Sequence, residues 1–372
     1  MKRLLLIAFV WLTACTPQAP SLDAYREVCY TPRYAQGFSI CRTEQGASTL
    51  LTTASPWQGA AAPSHLFIRR NNEPLPAHFT GQVIEGEVER IVCMSSSYVA
   101  MLDRLGAVER VVGVSGIDFV SNSYIQQHRT EIGDVGYDGN LNYELLVALD
   151  PDIVLLYGVS GASEMENRLR ELQIPFVYVG EYLEQHPLGK AEWMVFLAEL
   201  LGTRPQAEAL FAPIAERYEA LTNLAGSAPR PRVMFNSPYR DTWFMPPEGS
   251  YMIRLLNDAG GEYIFSDDGD NRSDVIDLEQ AYLLLAEADL WLNPGTMHSL
   301  EELCRRFPRL ADVEVVKRRR VYNNNARMNP HGGNDFWEQG VVEPDVALSD
   351  LIRILHPDLL PDHQLVYHHL LD

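Results

Sequence analysis

At 372 residues and 46% hydrophobic content, the chain is long enough for two domains with real cores. Fifty acidic residues against thirty basic ones give a formal charge of −20, which argues against nucleic acid, whose binders carry basic stripes. The acidity does not identify a ligand, since it also serves to keep a tethered protein soluble.

Residues 1–14 read as an export signal: Lys2 and Arg3 precede an apolar run too short for the ~20 residues a spanning helix needs. Leu12-Thr13-Ala14-Cys15 resembles the bacterial lipobox, so cleavage before Cys15 and lipid on its sulfur are expected. An ordinary secretory signal with a chance cysteine is the alternative. Acyl chains contribute about 0.8 kcal/mol per buried CH₂, so several make a firm anchor. The mature chain then carries a formal charge of −22 and is expected to face the periplasm from a membrane tether. The remaining Cys29, Cys41, Cys93 and Cys304 show no metal spacing. An oxidising compartment permits a Cys29–Cys41 bridge, while Cys93 inside an apolar strand reads as inert core.

Residues 15–22 form a tether. Residues 23–88 contain runs such as GFSIC, STLLTT and HLFIRR between Gly, Pro and Asn, the pattern of short antiparallel strands in a β-rich extension. Residues 89–187 alternate strand and helix, with strands RIVCM, RVVGVSG, DIVLLYG and FVYVG apolar throughout, as in a parallel sheet buried on both faces. Residues 188–225 predict two helices in series, broken at Gly202, with Thr203 as cap and Pro205 in the first turn. Ala207, Leu210, Phe211, Ile214, Tyr218 and Leu221 then mark one apolar stripe, which Pro213 kinks. Residues 226–372 repeat the α/β scheme. Asn142 to Gly158 and Asp277 to Gly295 each place a Glu at a first helical turn, then an acidic residue, then a strand opening onto Gly. The fold class is α/β: two mainly parallel lobes joined by one long helical linker, plus the small β-rich extension.

The lipobox, the strand RIVCM followed by a serine turn, NYELLVALDPDIVLL, the linker and LEQAYLLLAEADLWL together resemble ABC-transporter solute-binding proteins of the ferric siderophore, haem and cobalamin class. The resemblance runs from Glu89 to the C-terminus and omits the extension. It implies two lobes with limited relative movement, a monomer without cofactor, and a bulky metal chelate captured between the lobes for a membrane permease and its ATPase. It also implies that Glu144 and Glu279, one per lobe, meet arginines of the permease. Charge-assisted bonds give that pairing its orientation. The competing reading is that each carboxylate merely complements a helix dipole.

The residues supply no catalytic centre: there is no G-x-S-x-G elbow, no H-E-x-x-H pair and no phosphate-binding G-x-x-x-x-G-K-[ST] loop, so ATP hydrolysis belongs to a partner. His356, His363, His368 and His369 read as a solvated tail. In parallel sheets ligands sit at the carboxyl ends of strands. There Val321–Gly340 offers Arg327, His331 and Trp337 beside paired glycines, with Tyr239, Arg240 and Trp243 on the same lobe and Tyr98, Tyr137 and Tyr157 opposite. His331 or a tyrosine can ligate haem iron. Arg240, Arg272 and Arg327 can pair with siderophore carboxylates or haem propionates. Each aromatic taken singly is more often core than contact. Cobalamin remains an alternative cargo, and a tethered chelatase or haem-capture protein without permease an alternative role.

Overall fold

The computed structural model describes residues 19–372 apart from 138, 159–160, 162–163 and 267–272. The signal, Cys15 and Arg272 therefore lie outside the described residues.

The N-terminal extension is a five-stranded sheet in chain order: β1 (Glu27–Tyr30), β2 (Phe38–Arg42), β3 (Thr49–Thr53), β4 (Ser64–Arg69) and β5 (Gln82–Glu85). The first four strands are antiparallel, and β5 runs parallel to β4. A bulge at Cys29 sets Val28 opposite Cys41 and Tyr30 opposite Ile40. Successive side chains point to opposite faces, so this register turns Cys29 away from Cys41. Both thiols are free, and the bridge the sequence permits does not form.

The first lobe contains β6 (Ile91–Cys93), α1 (Ser96–Arg104), β7 (Val111–Val114), α2 (Ser123–Gln127), β8 (Gly133–Asp134), the small hairpin β9 (Gly136–Tyr137) and β10 (Asn140–Leu141), α3 (Tyr143–Leu149), β11 (Ile153–Leu156), α4 (Glu164–Glu171) and β12 (Phe176–Tyr178). Its main sheet has the order β12-β11-β6-β7-β8, all parallel. Every residue of β6, β11 and β12 is buried, as strands covered on both faces must be. Cys93 is among them, and burial pushes its thiol well above the usual range.

The linker is α5 (Pro187–Leu200) and α6 (Arg204–Ala225), which meet at Gly202, at φ of +69°, the left-handed geometry that glycine adopts without strain, and fold back on each other: the His186 ring at the start of α5 lies 5.8 Å from Tyr218 of α6, so the expected single long linker is a helical hairpin. In α6 the predicted stripe holds at Ala207, Phe211, Ile214 and Tyr218, all buried, while Leu210 lies at its exposed edge. Helix α5 is buried along all fourteen residues. The extension covers one side of it: the Phe38 ring lies 4.9 Å from Trp193 and 5.5 Å from Phe196. Three acidic residues are thereby enclosed, and each is satisfied. Glu192 accepts the Tyr30 hydroxyl (2.6 Å) and the backbone N–H groups of Arg33, Tyr34 and Ala35 (2.7–2.8 Å). Glu199 pairs with Arg70 and Arg204, and Glu184 accepts from Gln36, Gly37 and the Trp193 indole. Buried carboxylates persist only with such partners.

The second lobe contains β13 (Arg232–Phe235), β14 (Pro238–Tyr239), β15 (Thr242–Met245), α7 (Tyr251–Asp258), β16 (Glu262–Tyr263), β17 (Asp274–Asp277), α8 (Leu278–Glu287), β18 (Leu290–Leu292), α9 (Leu300–Arg306), α10 (Glu314–Lys317), β19 (Val321–Asn323), α11 (Gln339–Val342), α12 (Pro344–Leu355) and β20 (His369–Leu370). Its main sheet runs β16-β13-β18-β19-β20, parallel except for β20. The histidine-rich end is thus not a solvated tail. Asp350 on α12, fully buried, accepts the backbone N–H groups of Val366, Tyr367 and His368 and meets His363 Nε2 at 2.7 Å. One continuous hydrophobic core runs from the first lobe through α5 and α6 into the second.

Candidate functional site

Segments that follow the carboxyl ends of β7 and β19 meet at the lobe junction. At one end of that junction, Asn329 of the second lobe donates to the carbonyls of Asp118 (2.9 Å) and Val120 (3.1 Å), and Ser121 N–H donates to Glu338 (2.7 Å). Gly333 packs there so closely that a Cβ would stand 2.3 Å from the Phe119 carbonyl oxygen, which excludes any other residue. Glu338 is buried, and burial pushes its carboxyl up to about 8 against the opposing pull of the Ser121 N–H.

Between the lobes a line of polar groups crosses from sheet to linker to second lobe. Ser95 and Ser97 hydroxyls lie 2.9 Å apart, Ser97 donates to Glu181 (2.7 Å), and Glu181 pairs with Lys190 of α5 (2.6 Å). The Lys190 ammonium sits 4.8 Å from the centre of the Tyr251 ring at the start of α7, and that ring lies 6.2 Å from Trp337. Ser97, Glu181 and Lys190 are all buried. They form a fixed, charge-balanced floor rather than free ligand-binding groups.

The aromatic side chains divide sharply. Tyr98 is fully buried, its hydroxyl donating to the Val179 carbonyl (2.8 Å), and Trp243 is buried with its indole N–H on the Phe235 carbonyl (2.7 Å). Tyr98 is closed off from solvent, and Trp243 only backs a cavity beside Glu279, which corrects the sequence reading of both as cleft walls: their chain position sets them near strand ends, but their side chains turn into the core. Tyr157 is half-buried against both first-lobe cores. Tyr137 is 50% exposed, Tyr239 59% and Trp337 46%, and all three lie in segments that follow main-sheet strands: β9 after β8, β14 after β13 and the turn before α11 after β19. Two more exposed rings, Phe119 (52%) and Phe244 (43%), join them, although nothing in the sequence separated them from core phenylalanines.

The predicted cations are placed less favourably. Arg327 is exposed, yet it pairs with Asp335 (2.9 Å) and lies 5.7 Å over Tyr367. Arg240 sits at φ of +57° with its guanidinium over its neighbour Tyr239. His331 is exposed in a turn closed by the Asn329 side chain, which accepts the His331 and Gly333 N–H groups. Among the described residues no group of three or more His, Cys, Asp or Glu is placed to hold a metal ion, and no helix is long and apolar enough to cross a membrane.

Glu144 and Glu279 occupy equivalent positions. Each is exposed at the second residue of its helix, behind an Asn142 or Asp277 cap that accepts the N–H of Leu145 (3.0 Å) or Gln280 (2.8 Å). Neither carboxylate has an ion-pair partner among the described residues. Glu279 also borders a cavity of about 740 Å³ lined by Leu278, Tyr282, Phe307 and Pro308.

Comparison with known proteins places this architecture. The chain is 25% identical over 80% of its length to an uncharacterized lipoprotein of Methanocaldococcus jannaschii, covering 74% of that protein. Its fold superposes on a periplasmic binding protein from Veillonella parvula with a TM-score of 0.60 at 16% identity, covering 84% of this chain and 99% of the other. A periplasmic heme binding protein from Pseudomonas aeruginosa (TM-score 0.55, 20% identity, 73% and 93% covered) has the same fold. So does a periplasmic vitamin B12 binding protein of Vibrio cholerae (TM-score 0.54, 15% identity, 74% and 99% covered). A family profile described as periplasmic binding protein matches residues 91–327, which take in the first lobe, the linker and most of the second. The chain therefore belongs to the periplasmic binding protein family, whose members bind solutes rather than transform them.

Proposed function

We propose that this chain is the capture component of an ABC importer, holding a bulky metal chelate, a ferric siderophore or haem, between its lobes and delivering it to a membrane permease driven by a separate ATPase. The observation that carries this reading is the set of exposed rings in the segments that follow main-sheet strands, Phe119 and Tyr137 on one lobe and Tyr239, Phe244 and Trp337 on the other. Rings left in water in such segments suit a large ligand with apolar faces. Their lobes are held by a linker that shares both cores. Glu144 and Glu279 supply one free carboxylate per lobe for permease arginines, and lipid on Cys15 keeps the complex at the membrane. Relatives with this fold carry haem and vitamin B12 in their names.

The test has two arms. Titrating the mature protein with haem, cobalamin and ferric siderophores against tryptophan fluorescence should give saturation by one chelate class. Saturation by cobalamin alone replaces the iron cargo, and a flat response to all three removes the chelate reading. Glu144→Ala with Glu279→Ala should leave affinity intact and abolish uptake. Undiminished uptake in that double variant rejects delivery to a permease through these residues.

A further inference from the structure

The N-terminal sheet lies outside the matched family region, yet it builds one wall of a cavity of about 690 Å³. The other walls are Gly180 and His186 of the first lobe and linker, and Glu248 and Arg254 of the second lobe. The contribution of the sheet is the loop Arg33–Gly37, whose five consecutive backbone N–H groups are all held by buried carboxylates. Arg33, Tyr34 and Ala35 donate to Glu192, while Gln36 and Gly37 donate to Glu184. Gly37 packs so tightly that a Cβ would stand 2.8 Å from the Trp193 ring. Bonds to every backbone N–H hold the main chain of this loop in place before any ligand arrives, which lowers the entropic cost of binding.

We propose that this cavity is a carboxylate-binding site in which Arg33 of the N-terminal sheet and Arg254 of the second lobe grip the acidic edge of the ligand. Each guanidinium is anchored by one side only: Arg33 Nη2 on Glu219 (2.6 Å) and Arg254 Nε on both Asp258 oxygens (2.9 Å). The anchoring carboxylates are themselves held by tyrosine hydroxyls, Tyr34 on Glu219 and Tyr218 on Asp258. Nη1 and Nε of Arg33 and both Nη atoms of Arg254 meet no acceptor among the described residues. Both side chains are at least half exposed, so these donors remain open for the forked contact that guanidinium makes with carboxylate. Of the acidic residues at the walls, Glu184 is consumed by two backbone amides and the Trp193 indole, and Glu248 stands exposed. His186 adds no charge of its own, because burial and the Arg254 cation hold it below its usual range.

This deepens the chelate reading and rests on it for the identity of the cargo: the gripped ligand carries pendant carboxylates, as haem and carboxylate siderophores do and the amide-rimmed corrinoid does not. The site itself is tested without the native ligand. Citrate and its trimethyl ester, which has a similar skeleton without charge, are titrated into the full mature protein by calorimetry. Citrate should bind saturably and the ester should not, and Arg33→Gln and Arg254→Gln should each weaken citrate about tenfold. Arg254→Lys, which keeps a cation beside Asp258, should bind citrate more tightly than Arg254→Gln. Absence of saturable citrate binding, equal binding of the ester, or parental affinity in both glutamine variants overturns the proposal. Uptake dependent on Glu144 and Glu279 alongside any of these results removes this site and leaves the importer reading standing. Citrate binding with undiminished uptake in the glutamate variants does the reverse.

Discussion

Replacing Glu192 by Gln tests how the N-terminal sheet is joined to the rest of the molecule. One carboxylate oxygen accepts Tyr30 Oη and Arg33 N, and the other accepts Tyr34 N and Ala35 N, in a site with no exposed surface. A glutamine has the same shape but one acceptor oxygen. With its NH₂ on the Tyr30 side the hydroxyl can turn and accept, so the better orientation still sets the NH₂ against one donor, the Arg33 N–H, and one charge-assisted bond is lost. At roughly 1.5–3 kcal/mol for such a bond, the loss is a sizeable part of the roughly 5–15 kcal/mol that holds a domain. The measurement is urea unfolding of both proteins at equal slope, with limited proteolysis reporting cleavage within residues 31–37. A change below about 1 kcal/mol with an uncut loop would mean that the sheet is held by its apolar contacts with α5, and the carboxylate argument would fail.

Lys190→Met leaves Glu181 buried with Ser97 as its only remaining side-chain partner among the described residues and should cost roughly 3–5 kcal/mol, while adding Glu181→Met should recover most of it. Double-variant stability no better than the single would show that the pair is not the electrostatic unit described. Glu338, raised from 4.5 to about 8 by burial, carries a penalty that is absent below about pH 4.5, grows as pH rises and is complete above about pH 8. Glu338→Gln keeps an acceptor for Ser121 and removes the charge. Its melting temperature relative to the parent should therefore climb between pH 5 and pH 8, by the equivalent of at most roughly 1.4 kcal/mol per pH unit. A pH-independent offset would contradict the assignment.

Periodicity carried the fold further than it carried the site. The stripe Ala207, Phe211, Ile214, Tyr218 and the unbroken apolar strands report which face is buried, and burial is what builds lobes and linker. Helix α5 hid its surroundings because it has no polar face to read: Glu192 and Glu199 look like solvent-facing residues until the sheet that supplies their partners is folded over them. Tyr98 and Trp243 failed for a related reason. Chain position puts a residue near a strand end, but its rotamer and hydrogen-bond partner decide whether it points at cargo or core, and carbonyls such as those of Val179 and Phe235 have no signature in a linear sequence. The paired first-turn positions of Glu144 and Glu279 were legible because a helix start is specified locally by its cap.

Helix α5, interior to both lobes and to the added sheet, cannot shift without repacking three sets of side chains, and close-packed interiors switch between discrete arrangements rather than stretch. If the chain carries cargo as proposed, that packing keeps the separation between the two exposed glutamates nearly the same with cargo aboard as without it. On the importer reading, a transporter that distinguishes full carriers from empty ones gains nothing by gauging that span. It must sense what changes locally where the exposed rings become covered.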